Sequence, residues 1–286
     1  MITMELDYKW TPEDIFAKGM TTKEDLETIK TWLSTLNDEY LPPNIQDHLL
    51  VLFLISCVNN IELTKKTILS YYKLKQHAPE IFDDRNLKRS ELQTALNTIH
   101  LSSIPVRTDE GDVIHYFKLN DSNYNNFDLV QAMKVSYMIM DVTHEKNPPP
   151  GLIVLIDMKG FGLMHMTKLK IGAVKKYFSF LQEALPLRMK EIHILNSVYF
   201  IDKILALIKV FMKSELMDLV HFHSPGIEQE KMFEIAPKKC LPKDYGGDLP
   251  SASELHDITL QQFKDRQEFW NIEEMIRKEA PIWKKS

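Results

Sequence analysis

Residues 151–157 (GLIVLID) form a run that is apolar up to its final aspartate. A run this short and this apolar predicts a β-strand buried on both faces, as in a parallel sheet that helices cover on either side. Segments with helical spacing flank it at 127–144 and 168–184. Further short strands are predicted at 113–117, 192–196 and 219–223. The alternation of strands and helices predicts an α/β fold for this part of the chain.

The segment before residue 95 is predicted to be helical. Thr11 followed by Pro12 is a helix start signal, because threonine caps the first turn and proline is tolerated within it. Further helices are predicted at 22–36, 44–57 and 63–77. A polar helix is predicted at 251–280, capped by Ser251 or Ser253. We therefore expect a helical domain at 1–95, an α/β domain at 96–250 and a C-terminal helix or tail at 251–286.

The composition is that of an ordinary globular protein. Of the 286 residues, 44% are hydrophobic and 26% are charged, which excludes a disordered or fibrous chain. The net charge of -5 argues against a dedicated nucleic-acid binder. Cys57 and Cys240 are too few for a disulfide scaffold, so we expect free thiols in the cytosol. The first residues also lack the apolar run of a signal peptide.

Signals for catalysis and for metal binding are largely absent from the sequence. The chain has only 9 glycines, and it contains neither a phosphate-binding loop nor a serine-hydrolase or zinc-protease motif. His221 and His223 fall on one face of a predicted strand, which suits either a metal pair or two exposed polar rings. The pattern favours binding over chemistry, so we expect no enzymatic activity, no cofactor and no metal.

Residues 198–212 (VYFIDKILALIKVFM), called the gate segment below, are unusually apolar. Twelve of the fifteen residues are apolar, and Asp202, Lys203 and Lys209 fall on one narrow stripe of a helical projection. Fifteen residues are too few to cross a bilayer, which needs about 20. Three interpretations stay open: a fully buried core helix, a lid over an apolar cavity, or a helix that touches a membrane surface.

The gate segment lies in a basic stretch of an acidic protein. Residues 165–213 contain nine basic and three acidic side chains, for a net charge of +6. Such a local field suits an anionic membrane surface, and a solvated lysine face is the alternative.

Three motifs occur in an order typical of one known family. They are ID-x-x-G at 156–160, P-x-x-x-x-x-I-H-x-x-N at 186–196, and LP-x-x-YGG at 241–247. With the helical segment before them, they resemble the CRAL-TRIO family of lipid-binding proteins over residues 44–250. The resemblance implies a helical N-terminal domain followed by an α/β domain. In that domain a sheet forms the floor of an apolar cavity, and the gate segment is a mobile gate over it.

The resemblance also implies a set of ligand-binding residues. We expect them on the buried strands, the facing helices and the gate. They are Tyr137, Met140, Leu152, Val154, Ile156, Phe180, Leu181, Leu187, Met189, Ile194, Ile201, Ile204, Leu205, Ile208, Phe211 and Met212.

Part of the family grips a phosphoinositide in a basic cleft beside the gate. Arg188 and Lys190 match two of its basic positions, and Lys213 is a candidate substitute for a third. The chain departs from the pattern elsewhere, because Ile55, Cys57 and Glu215 stand where the family has basic residues.

The expected function is cytosolic binding and intermembrane transfer of a small hydrophobic lipid, such as a tocopherol, retinoid or carotenoid. We expect peripheral association with an anionic membrane or a phosphoinositide. Two alternatives stay open: a phosphatidylinositol or phospholipid exchange protein, and a protein-binding adaptor with a vestigial cavity.

Overall fold

The computed structural model describes residues 5–226 and 228–284 of the chain. Helices before the sheet and between its strands are α1 (Pro12–Ala17), α2 (Lys23–Ser34), α3 (Asp47–Ser56), α4 (Ile61–His77), α5 (Pro79–Phe82), α6 (Ser90–Thr98), α7 (Leu129–Thr143), α8 (Ile171–Glu183), α9 (Ile201–Ile208) and α10 (Ser214–Met217). Helices after the last strand are α11 (Gln229–Ile235), α12 (Ala252–Asp265) and α13 (Gln267–Arg277). The strands are β1 (Ile99–Ser103), β2 (Val113–Leu119), β3 (Leu152–Asp157), β4 (Met189–Leu195) and β5 (Val220–Phe222).

The strands form one sheet in the order β1-β2-β3-β4-β5. β1 runs antiparallel to β2, and each later pair is parallel. Along β3, Leu152 and Val154 join one apolar core, whereas Ile153 and Leu155 join a second core on the opposite face. The predicted strand is therefore buried on both faces, and the predicted α/β architecture is confirmed.

The helix starts follow local capping chemistry. Thr11 and Asp14 form a reciprocal capping box at α1, and Ser251 and Glu254 form another at α12. The predicted C-terminal helix at 251–280 is instead two helices, because the backbone leaves the helical conformation at Arg266. The Arg266 guanidinium lies 3.9 Å from the ring centroid of Phe269 and also donates to the carbonyl of Asp7.

The C-terminal helices pack back onto the rest of the protein. The indole of Trp270 donates a 3.0 Å hydrogen bond to Asp141 of α7, and α12 lies against β1. These contacts tie the residues after 251 to the α/β part, and the hydrogen bond from Arg266 to Asp7 ties them to the N-terminal part. The proposed domain boundaries at 95 and 250 remain a prediction.

The gate segment is shorter as a helix than predicted. Residues 199–200 form a turn, α9 covers only Ile201–Ile208, and Lys209–Phe211 is a single turn of 3-10 helix. β1 was not predicted, and it forms the antiparallel edge of the sheet.

Candidate functional site

An apolar cavity of about 360 Å³ lies between the sheet and three helices. β3 and β4 form its floor, α7 and α8 form its sides, and α9 covers it. The register of β4 against β3 shifts by one residue, since Leu152 pairs with Met189 but Ile153 pairs with Glu191. In a regular strand, residues three apart point to opposite faces of the sheet. Because the bulge changes the direction of the side chains, Met189 and Ile192 both line the cavity.

Most of the ligand-binding residues expected from the sequence line this cavity. They are Met140, Val154, Ile156, Leu181, Met189, Ile194, Ile201, Ile204, Leu205, Ile208 and Met212. Their role in binding a ligand stays a prediction.

Five expected residues lie elsewhere. Tyr137 and Phe180 pack around Phe82 of α5, with ring centroids 5.0 and 4.5 Å from it, so they face the N-terminal helices. Leu152 and Leu187 are buried in the surrounding core. Phe211 is half-buried beyond the end of α9, outside the cavity lining. These five are corrections to the expected lining.

Sequence reasoning missed much of the helical wall. Leu129, Met133 and Ser136 of α7 line the cavity together with Met140, at a spacing of three to four residues. The same spacing would have found them once Met140 was chosen. The other unpredicted lining residues are Ile99, Phe117, Lys118, Leu119, Phe127, Ala132, Asp157, Met158, Phe161, Leu169, Val174, Tyr177, Phe178, Ile192, Val220 and Phe222.

Two hydroxyl groups interrupt the apolar wall. Ser136 Oγ lies 2.7 Å from the carbonyl of Met133 and 3.3 Å from the hydroxyl of Tyr177. Burial raises the pKa of Tyr177, so the phenol keeps its hydrogen. When Ser136 donates its hydrogen to Tyr177, the Tyr177 hydroxyl keeps its own hydrogen for another acceptor.

The gate segment covers the cavity with one face only. Ile201, Ile204, Leu205 and Ile208 line the cavity at helical spacing, yet no residue of α9 is buried. On the outside, Val210 is 70% exposed. The interpretation as a fully buried core helix is therefore wrong. Across the described parts of the chain, none of the helices is long and apolar enough to span a bilayer.

The three basic residues expected to contact a membrane differ in whether they form ion pairs. Lys190 lies 3.2 Å from the buried carboxylate of Asp112, and Lys213 lies 2.8 Å from Glu183. Arg188 is exposed, with no ion-pair partner among residues 5–226 and 228–284. Ile55 on α3 and Cys57 just after this helix are buried and uncharged, so neither position adds a cation.

The predicted histidine pair lies on the sheet face opposite the cavity. His193 Nδ1 is 3.0 Å from His223 Nε2, and the His193 ring stacks on those of His221 and His223. His193 Nε2 also contacts Glu191 at 2.8 Å. Within the described residues, no three His, Cys, Asp or Glu side chains are arranged to hold a metal ion.

The fold and cavity define a class: an α/β protein with an internal apolar chamber under a surface helix. A family model described as the CRAL/TRIO domain matches residues 98–247, and one described as a Pinta-like UBA domain matches residues 19–92. The first match covers more than half of the chain. The chain therefore belongs to the CRAL/TRIO family of lipid-binding proteins.

Similar proteins are found among animals. The chain is 25% identical over 247 residues to mouse alpha-tocopherol transfer protein-like, covering 82% of this chain and 70% of that protein. It is also 25% identical over 259 residues to the human protein of that name, covering 86% and 73%. Clavesin-1 of Xenopus laevis is 25% identical over 131 residues, 46% of this chain and 39% of that protein. A solved structure titled "Crystal structure of Sfh5" aligns with a TM-score of 0.46 at 12% identity, covering 92% of this chain and 89% of the other.

Proposed function

We propose that this protein binds one small hydrophobic molecule in its cavity and transfers it between membranes. The observation that carries this proposal is an apolar cavity of about 360 Å³ covered by a helix that has no buried residue. The volume lies within the range of about 300–1,000 Å³ typical of small-molecule sites. Membership of the CRAL/TRIO family and the name of the mouse and human relatives support the same function.

Burial of apolar surface supplies the affinity in this proposal. Each Å² of apolar ligand surface removed from water contributes about 25 cal/mol. The hydroxyl of Tyr177, with Ser136 beside it, gives the guest a hydrogen-bond donor and therefore an orientation. These features suit a largely apolar molecule with one hydrogen-bond acceptor, such as a tocopherol or a retinoid. A carotenoid with oxygen at one end has the same character.

The gate releases the guest at a membrane in this proposal. Its outer face exposes Leu207 and Val210, and Tyr199 near its N-terminal end is 89% exposed. At an anionic surface the basic stretch concentrates the protein, and the gate exchanges contacts with the cavity for contacts with acyl chains. The protein is then cytoplasmic with peripheral membrane association, and phosphoinositides are one candidate for the anionic lipid.

Phospholipid exchange has weaker support from the cavity wall. Lys118 and Asp157 are its charged members, and they lie together near the end of the sheet. Both Asp157 oxygens already accept hydrogen bonds, from Asn196 and from Tyr245. A zwitterionic headgroup therefore finds few free partners inside.

A substitution that fills the cavity with a bulky side chain tests the proposal. Ala132 lines the cavity on α7, whereas Ala206 is exposed on α9. Transfer of a fluorescent NBD-labelled α-tocopherol between vesicles is measured for the wild type, Ala132→Phe and Ala206→Phe. We expect wild-type transfer above the protein-free rate, loss in Ala132→Phe and retention in Ala206→Phe. Equal transfer by both variants contradicts binding in this cavity. If the purified protein holds a phospholipid, the exchange alternative is favoured. If the cavity is empty and a stable protein partner is bound, the adaptor alternative is favoured.

A further inference from the structure

The two ends of the gate segment are attached in different ways. At the N-terminal end, the side chain of Asn196 donates a 2.8 Å hydrogen bond to Asp157, which is buried at the end of β3. The amide of Ser197 donates to the carbonyl of His223 at 2.9 Å, next to the edge strand β5. This end is therefore fixed to the sheet.

The C-terminal end is attached through the last turn of α8. Gln182 Nε2 donates to the carbonyl of Phe211 at 3.0 Å, and its Oε1 accepts from the amide of Lys213 at 2.5 Å. The neighbouring Glu183 lies 2.8 Å from the Lys213 ammonium group. One amide side chain and one ion pair therefore bind the exit of the gate to α8.

We infer that Gln182, Glu183 and Lys213 form a latch, and that an anionic lipid surface opens it by replacing Glu183 as the partner of Lys213. The gate then swings about its fixed end at Asn196. The lipid-release step of this inference rests on the proposed function, but the latch itself does not. Gln182 acts as a positioning residue, since it binds the gate backbone and does not line the cavity.

The exposure of these groups supports a reversible latch. The side chains of Lys213 and Glu183 are 54% and 41% exposed. Exposed ion pairs are weak in water and exchange partners readily, so an anionic headgroup can compete. Lys209 and Val210 lie beside the latch and are also exposed, which places a cation and an apolar side chain where a membrane would meet it. By contrast, Asp157 at the fixed end is 4% exposed.

Hydrogen exchange of the ligand-free protein tests the latch directly. Gln182→Leu keeps the size of the side chain but removes both hydrogen bonds to the gate. We expect amides of residues 209–213 to exchange about tenfold faster, and the Ser197 amide to exchange at the wild-type rate. Gln261→Leu, at an exposed position on α12, is the matched control and should change neither. Unchanged exchange at 209–213, or equal acceleration at both ends, overturns the inference.

The lipid composition of the acceptor vesicles tests whether an anionic headgroup competes with Glu183 for Lys213. Release of NBD-labelled α-tocopherol is measured into phosphatidylcholine vesicles with and without phosphatidylserine. Glu183→Gln should release faster into neutral vesicles and respond at least threefold less to phosphatidylserine than the wild type. Glu215→Gln makes the same charge change nearby, on a residue that does not contact Lys213, and should keep the wild-type response. Equal behaviour of the two variants overturns the competition.

A further arm separates this inference from the proposed function. If the probe does not load, the proposed function fails but the latch is still measurable. Each protein is then measured with and without phosphatidylserine vesicles that carry no cargo. The vesicles should accelerate amide exchange at residues 209–213 in the wild type, whereas they should not change the exchange rate of Lys213→Met. Absence of acceleration in the wild type overturns the opening of the latch by an anionic surface.

Discussion

Lys75 Nζ and Glu273 Oε1 lie 2.9 Å apart inside the protein, although the two residues are separated by 198 positions in the chain. Arg85 and Arg277 contact the same carboxylate. Burial alone would raise the pKa of Glu273, but the charges of Lys75, Arg85 and Arg277 outweigh it and lower the pKa. This cluster joins the C-terminal helix to the helical N-terminal part.

Loss of the central carboxylate should therefore destabilise the fold. We expect Glu273→Gln to reduce the free energy of unfolding by about 3–5 kcal/mol, since it leaves the buried Lys75 without a carboxylate partner and takes one partner from Arg85 and from Arg277. Urea denaturation measures the change. Glu268→Gln, at an exposed position on the same helix, should cost less than about 0.5 kcal/mol. Similar effects of the two substitutions would contradict a structural role for the cluster.

Two buried histidines predict a stability that falls with acid. Burial, with Arg107 adding to it, lowers the pKa of both His115 and His144 to about 3. Between about pH 6.5 and pH 3 the unfolded chain therefore binds protons that the folded protein does not, so stability decreases as pH falls. Each histidine contributes about 1.4 kcal/mol per pH unit.

His144→Gln tests this dependence. It should reduce the slope of unfolding free energy against pH by about 1.4 kcal/mol per unit between pH 6 and 4. The two proteins are compared at pH 8 as well, where the histidine is neutral in both states, to separate the packing change from titration. An unchanged slope would mean that His144 is protonated in the fold.

The two faces of the gate should have separate roles. Ile208 lines the cavity and Val210 is exposed. We expect Ile208→Asp to weaken binding of NBD-labelled α-tocopherol at least tenfold, because a carboxylate then faces an apolar cavity. Val210→Asp should keep probe binding but slow transfer to vesicles, because the gate no longer enters the acyl region.

The control for these variants is Ile258→Asp, which changes an exposed apolar residue on α12, away from the gate. It should match the wild type in both assays. Unchanged transfer by Val210→Asp would contradict the proposed contact between the gate and the membrane.

The hydroxyl pair predicts a preference among guests. Tyr177→Phe should weaken binding of α-tocopherol by about fivefold, as expected for one hydrogen bond of about 1 kcal/mol. Binding of a hydrocarbon guest of similar size, without oxygen, should be unchanged. Thermal shift and fluorescence titration with both guests measure the difference. An equal loss for both would show that Tyr177 acts through packing.

The sequence predicted the character of two segments in different degrees. The gate segment has one polar stripe, but a buried core helix, a lid and a membrane-contacting helix all stayed open, and the exposure of α9 in the structure excludes only the first. The strand at 151–157 was recognised because apolar residues occupy both of its faces.

Where every side is apolar, the sequence does not distinguish a cavity from a core. Helix α7 is buried almost all round, so Tyr137, which packs on Phe82, looks like Met133, which lines the cavity. That difference depends on which neighbour packs on which face of the helix. The break at Arg266 was also hidden, since neither proline nor glycine marks it and the contact with Phe269 is tertiary.

The most direct test of the central claim is native mass spectrometry of the protein purified from its own source, followed by organic extraction and identification of any bound lipid. The account predicts one small, largely apolar molecule per protein, lost in Ala132→Phe and retained in Ala206→Phe. An empty protein whose thermal stability does not change with tocopherols, retinoids or phosphoinositides would contradict it.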